Sequence, residues 1–249
     1  MVWIIFNNCG RFGYRFCIYN AEVRKVSALN LNDYIIVSDF DGTITLEDSN
    51  ARLVEVLGNE ANAQIELDFI AGIMGNREAM DEHFKKMSIS LDDYYGFLDE
   101  YIELDEDFDV FLEKVREQGI LLLIVSGGYN QGIKHVLGED RLKDITVVAN
   151  DLVGEKTLSP RFATENPKCK RAAGACGNCK MDFIKDVRAK YGKKIIYIGD
   201  GITDFCVSQD VEVLFAKDFL ANHCQEKQVP FIPFSRFRDV TKHLFNNET

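Results

Sequence analysis

Val37-Ser38-Asp39-Phe40-Asp41-Gly42-Thr43-Ile44-Thr45 decides how the rest of the chain is read. The apolar run before it, Tyr34-Ile35-Ile36-Val37, has the look of a buried strand in a parallel sheet, and it stops abruptly at two carboxylates. Asp39 and Asp41 are two residues apart, so in an extended chain they point the same way. Gly42 then allows a sharp turn or a close approach to a ligand. Like charges held side by side are costly unless a cation or a shared proton relieves them. Strand-end carboxylates of this kind suggest a hard metal, with one carboxylate left to act as a nucleophile.

Working outward, the 249 residues are enough for one large domain, or a domain carrying an insertion. A net charge of -11 disfavours nucleic acid and anionic membrane as partners, and it means that a phosphate ligand needs locally placed positive charge. The seven cysteines are odd in number and lack framework spacing, which fits reduced thiols and a cytoplasmic setting. No run approaches the roughly 18 apolar residues of a membrane span. Residues 1–32 hold Arg11, Arg15, Arg24 and Lys25 against one acid, Glu22. The acid-poor composition resembles a transit peptide, but the low serine content argues against one, so an N-terminal extension without assigned chemistry is expected.

After the opening motif the pattern turns helical, with helices expected over 51–57, 62–70, 77–87 and 91–102. Ser90 and Asp93 look like a capping box for the last of these. Phe108, Phe111, Leu112 and Val115 fall at helical spacing, and Gly119 is placed to end that helix. A second buried strand is expected over 120–125, ending in the turn Ser126-Gly127-Gly128 with a helix beyond it. A third strand is expected at 145–149, followed by an irregular or hairpin-like stretch over 150–176. Lys180 opens another helix, 194–198 is a fourth strand running into Gly199-Asp200-Gly201-Ile202-Thr203-Asp204, and 211–216 is a fifth, followed by a helix over 218–227. Such alternation implies a doubly wound α/β sheet, in which ligands sit outside the carboxyl ends of the strands. All three polar turns lie at such ends, so they should meet. The gap from Asp41 to Ser126 exceeds the roughly 30 residues of a βαβ unit. The expected organisation is a core of 33–47 and 106–249, with 48–105 inserted as a helical cap standing over the site.

Asp200 and Asp204, at i and i+4 where a loop enters a helix, share a face and bring the carboxylates to four. That oxygen set fits Mg²⁺ keeping several waters. Ser126-Gly127-Gly128 offers a hydroxyl and backbone N–H groups to an anion. Lys180 sits at a helix start, where the dipole disfavours a cation, and makes sense as a clamp on a phosphoryl oxygen.

In this order, Asp39-x-Asp41-Gly42-Thr43, Ser126-Gly127-Gly128, Lys180 and Gly199-Asp200-Gly201-x-x-Asp204 resemble the haloacid dehalogenase-like superfamily, in its phosphoserine-phosphatase-like branch. The resemblance covers roughly residues 33–245. It implies a Rossmann-like core, Asp39 as nucleophile forming an aspartyl-phosphate, and Asp41 as general acid and then base. It also implies Ser126, Gly127 and Lys180 on phosphoryl oxygens, and Mg²⁺ held by Asp39, the Asp41 carbonyl and Asp200 with support from Asp204. An Asp at position 41 resembles the phosphatases and phosphotransferases of the superfamily, since its dehalogenases lack that residue. Cys176-Gly177-Asn178-Cys179-Lys180, Phe215-Ala216-Lys217-Asp218-Phe219-Leu220 and Pro233-Phe234 resemble the methionine-salvage phosphatases acting on 2-hydroxy-3-keto-5-methylthiopentenyl-1-phosphate more than the phosphoserine phosphatases. The implied partner is a small phosphorylated metabolite. A phosphotransferase and a non-catalytic phospho-ligand scaffold are the alternatives, and an intact Asp41 argues against the scaffold.

In the cap, Arg77, His83, Lys85 and Lys86 are the cationic candidates to touch substrate, and Glu47, just before it, could face the site, although each reads more simply as a surface residue. Cys169, Cys176 and Cys179, with Cys206 or Cys224, could hold zinc. With no second CxxC and no nearby His, packed thiols are the simpler reading.

Overall fold

The computed structural model describes residues 29–164 and 175–245. The sheet has seven strands: β1 (Tyr34–Ser38), β2 (Leu122–Tyr129), β3 (Thr146–Val153), β4 (Ser159–Arg161), β5 (Lys194–Gly199), β6 (Val213–Ala216) and β7 (Ile232–Pro233). Their spatial order is β4-β3-β2-β1-β5-β6-β7. All pairs are parallel except the β3–β4 hairpin at one edge. The chain therefore winds outward from β1 to one side and then returns to wind outward on the other. Its switch point lies between β1 and β5, where such sheets open a crevice at the strand ends.

Both faces of the sheet are covered, as its near-continuous aliphatic strands require. Ile36, Ile124, Ile196 and Phe215 face one way, against α5 (Phe108–Glu117), α6 (Asn130–Leu142) and α9 (Phe237–Phe245). Ile35, Val37, Leu123 and Ile195 face the other, against α7 (Lys180–Tyr191) and α8 (Asp218–Lys227). The expected doubly wound α/β class is the observed one.

Four helices lie between β1 and α5: α1 (Ser49–Leu57), α2 (Glu60–Ile70), α3 (Asn76–Lys86) and α4 (Leu91–Tyr101). α1, α3 and α4 share a third apolar cluster, in which Leu53, Met80, Phe84, Tyr94, Phe97 and Leu98 pack with Tyr129 of β2 and Leu152 of β3. The capping box of Ser90 and Asp93 is present at the start of α4. The two chain connections to this layer run side by side, with Thr45 bridged to Leu104, the Leu46 N–H on the Glu103 carbonyl and the Asp105 N–H on the Ile44 carbonyl, 2.9 Å each.

Two local expectations are corrected. Ser126-Gly127-Gly128 is not a turn after the strand, because β2 continues through it to Tyr129 with a shift of register against β3. Such a bulge re-aims the backbone without ending the strand. Ile202–Asp204 is a single 3-10 turn rather than the start of an α-helix. β7 and α9 went unpredicted: β7 is too short to leave a pattern, while Phe237, Val240, Thr241 and Leu244 do carry helical spacing. Residues 1–28, which hold most of the expected N-terminal extension, lie outside the described residues.

Candidate active site

β1 and β5 are in register from Tyr34 opposite Lys194 to Ser38 opposite Ile198, so Asp39 and Asp200 emerge from neighbouring strand ends. The Asp39 N–H still bonds the Ile198 carbonyl at 2.9 Å, which carries the sheet one step into the site. Gly42 has a φ of +69°, and a Cβ there would overlap the Asp200 carboxylate; both facts demand glycine. Thr43 Oγ1 donates to Asp200 Oδ1 at 2.5 Å, and the Asp200 carbonyl accepts the Leu220 N–H of α8 at 2.7 Å.

Lys180, 1% exposed, joins the two halves of the site by donating from Nζ to Asp39 Oδ2 and to Asp204 Oδ1, each at 2.6 Å. Asp204 is fully buried and its oxygens also accept from Tyr197 Oη at 2.5 Å, the Asp200 N–H at 3.2 Å and the Gly201 N–H at 3.0 Å. It is thus saturated by the protein. Asp41 lies on another side of the site. Its Oδ1 accepts from Ser49 Oγ at the start of α1, and its Oδ2 from Ser126 Oγ at 2.9 Å. A Cβ at Gly128 would collide with that same Oδ2, so the second glycine of the bulge is required by close approach.

Burial sets the electrostatics. It pushes Asp39 well above the usual carboxylate range; Lys180 opposes the shift, while Asp204 and Asp200 add to it. Asp41 is also raised by burial, against the hydrogen bonds from Ser49 and Ser126. Asp200 is pushed up to about 8, by burial first and then by Asp204. Burial disfavours the charge on Lys180, but Asp204 and Asp39 more than offset it and its pKa is raised. Four buried carboxylates thus face one ammonium. Asp39, Asp200 and Asp204 bring ligand oxygens within 4.8 Å of one another, the only such group among the described residues. Hard oxygen donors with unneutralised charge fit a small divalent cation such as Mg²⁺. The Asp41 carboxylate is not part of that group.

Sequence reasoning missed Tyr197 and Ser49. After the exposed Lys194, Tyr197 is the one polar side chain of its strand, and a buried tyrosine hydroxyl needs a partner, so its presence is a usable signal. Ser49 carried none.

The cap candidates lie apart from this cluster. Arg77 donates from Nη1 to the Thr164 carbonyl at 2.5 Å and stacks over Phe162, 4.3 Å from the ring centroid. Lys85 pairs with Asp81 and Glu82, while Lys86 and Glu47 are exposed. His83 is not the expected surface residue. It is buried, with Asn62 Nδ2 donating to its ring at 3.2 Å and to its carbonyl at 3.0 Å. Cys169 lies outside the described residues. Cys176, Cys179, Cys206 and Cys224 form no metal-holding group among the described residues, and Cys224, on α8, is packed into the core.

The profile of the haloacid dehalogenase-like hydrolases matches residues 36–209. A 2-hydroxy-3-keto-5-methylthiopentenyl-1-phosphate phosphatase from Bacillus mycoides is 29% identical over 211 residues, covering 84% of this chain and 94% of that one. A polyol phosphate phosphatase from Saccharomyces cerevisiae is 26% identical over 219 residues, covering 83% and 90%. Among solved structures, a phosphoserine phosphatase carrying a phospho-aspartyl intermediate analogue superimposes with a TM-score of 0.63 at 15% identity, covering 84% of this chain and 98% of that one. At that identity the likeness speaks for the fold. No helix among the described residues is long and apolar enough to cross a membrane.

Proposed function

This chain belongs to the haloacid dehalogenase-like hydrolases and is a phosphatase of that family, and from that premise we propose that it hydrolyses a small phosphomonoester metabolite with Mg²⁺ through an aspartyl-phosphate on Asp39. The observation that carries the proposal is the Lys180 bridge, with Nζ 2.6 Å from both Asp39 Oδ2 and Asp204 Oδ1, beside an Asp41 held by Ser126. A binding module needs neither a buried carboxylate poised against an ammonium nor a second one with a raised pKa.

In the first step an Asp39 carboxylate oxygen attacks phosphorus and the bond to the leaving-group oxygen breaks. That oxygen takes its proton from Asp41, whose carboxyl burial raises above the usual range, which favours its holding a proton to donate. In the second step Asp41 takes a proton from water. The water oxygen attacks phosphorus, phosphate leaves, and Asp39 is regenerated. Splitting the reaction in two this way replaces one very high barrier by two lower ones. Lys180, Ser126 Oγ and the Gly127 N–H would hold the phosphoryl oxygens.

Asp39, the Asp41 carbonyl and Asp200 would hold Mg²⁺, with Asp204 orienting them. When bound, the ion supplies positive charge that offsets repulsion between carboxylate and phosphomonoester. Residues 48–105 would act as the cap that encloses the leaving group. The two relatives named for phosphorylated metabolites, one a ketone phosphate and one a polyol phosphate, support a small hydroxylated substrate. The test is release of phosphate from p-nitrophenyl phosphate with and without Mg²⁺, followed by a panel including both of those metabolite types and phosphoserine. Turnover that needs Mg²⁺ and prefers a panel member over p-nitrophenyl phosphate is expected. Phosphate binding without turnover of any ester would favour a scaffold.

A further inference from the structure

We infer that Asn178 and Asn150 are positioning residues that aim the Ser126-Gly127-Gly128 backbone at the phosphoryl group, a role that rests on the phosphatase reading above. β2 loses register with β3 between Val125 and Tyr129. The peptide groups of the bulge therefore lie outside the regular ladder, at the two consecutive glycines where the chain is most pliable.

Two buried side-chain amides take the place of the missing ladder bonds. Asn178, 5% exposed, donates from Nδ2 to the Ser126 carbonyl at 2.9 Å and to the Val148 carbonyl at 2.8 Å, lacing β2 to β3 across the gap. Asn150, fully buried, donates from Nδ2 to the Gly127 carbonyl at 2.7 Å, and its Oδ1 accepts the Ala163 N–H at 3.0 Å. In a planar trans peptide, a carbonyl and the N–H that follows it point in opposite directions. Holding the Ser126 carbonyl therefore sets the direction of the Gly127 N–H, and holding the Gly127 carbonyl sets that of the Gly128 N–H. The second consequence is visible: the Gly128 N–H meets Ser126 Oγ at 2.8 Å, on the hydroxyl that donates to Asp41. Two asparagines thus govern two successive donors and the rotamer of the serine between Asp41 and the phosphoryl position. Asn178 lies two residues before Lys180, so one short segment places both the clamp and the ammonium.

The test compares Asn178→Ala and Asn150→Ala with Asn130→Ala. Asn130 Nδ2 makes the same kind of bond, to the Ala149 carbonyl at 3.1 Å and Asp151 Oδ1 at 3.0 Å, but does not touch the bulge. In the first two variants kcat/KM for p-nitrophenyl phosphate and affinity for orthovanadate should fall together by ~10–100-fold, as for misaimed donors. Amide hydrogen exchange at Gly127 and Gly128 should quicken by at least ~10-fold. Asn130→Ala should leave all three within about twofold even where it lowers the melting temperature. Should Asn178→Ala fail to fold, Asn150→Ala, which loses a single bond to the bulge, decides alone. Unchanged exchange at the two glycines, or an Asn130→Ala variant as impaired as the others, overturns the inference. If the wild type hydrolyses no ester, the phosphatase reading fails by itself, and the exchange rates still decide whether the amides hold the bulge.

Discussion

The chain handles two groups of polar side chains in opposite ways. At the strand ends, Asp39, Asp41, Lys180, Asp200 and Asp204 are all buried. Burial raises the pKa values of Asp39, Asp41 and Asp200, and burial disfavours the charge on Lys180 while Asp204 and Asp39 more than offset it. On α1–α4, Arg52 and Lys85 are half-exposed and exposed, and they pair with acids within their own or neighbouring turns. Buried unbalanced charge is costly to fold and is relieved by a ligand, whereas exposed pairs contribute little either way. On the proposed reading the strand ends are the place of chemistry and the helical layer is a cover.

The largest expected effect sits in the first group. Asp39→Asn should abolish turnover with the fold intact by circular dichroism, since an amide cannot form the acyl-phosphate. Near-normal phosphate release by that variant would remove the nucleophile from the account. Next come the two acids of the 199–204 turn. Asp200→Asn should leave almost no activity at any Mg²⁺ concentration, because a hard cation tolerates few substitutes for a carboxylate. Asp204→Asn should cost about 10–100-fold, with only part recovered by raising Mg²⁺. The unrecovered part is the loosened anchor of Lys180 and Tyr197. The same change should also destabilise the fold by on the order of 3 kcal/mol, because it breaks a buried ion pair. Rates measured against Mg²⁺ concentration for both variants would expose a reversal of these roles.

A third effect is on stability. In the metal-free protein the Asp200 carboxyl is raised from 3.8 to about 8, so between those values the native state binds more protons than the unfolded one. Stability should therefore fall as pH climbs through that window, with Asp39 and Asp41 adding in the same sense. Melting temperatures in chelator across this range should decline, and Mg²⁺ should restore most at the alkaline end. A flat or rising profile would contradict the idea that this carboxylate cluster is built to hold a cation.

The smallest effects belong to the cover. His83→Ala should lower stability by about 1–3 kcal/mol by leaving the Asn62 amide without its ring partner, yet change kcat on p-nitrophenyl phosphate by less than about twofold. Lys85→Ala should change neither. A large loss of kcat in either variant would erase the contrast between the two layers.

This contrast also explains what the sequence made legible. Asp39, Asp41, Ser126, Lys180, Asp200 and Asp204, which the structure brings together, stand out in the sequence because the proposed chemistry dictates their residue types and each follows an apolar strand, ends an apolar run or opens a helix. The alternating faces of the sheet follow from the same strands. The roles of Tyr197, Ser49, Asn150 and Asn178 depend on the group that lies opposite each, a carboxylate for the first two and a backbone carbonyl for the last two, and only the fold supplies that partner. The bulge at Ser126-Gly127-Gly128 read as a turn for the same reason: two glycines permit either, and the pairing with β3 chose. His83 read as a surface cation because its burial depends on Asn62, on a different helix.

The central claim is that the phosphoryl group passes through Asp39. Its most direct test is the stereochemical course of hydrolysis of a phosphomonoester made chiral at phosphorus with oxygen isotopes. Two successive in-line displacements, by Asp39 and then by water, predict net retention of configuration in the released phosphate. Net inversion would mean that water attacks the ester in a single step, and the aspartyl-phosphate would have to be abandoned.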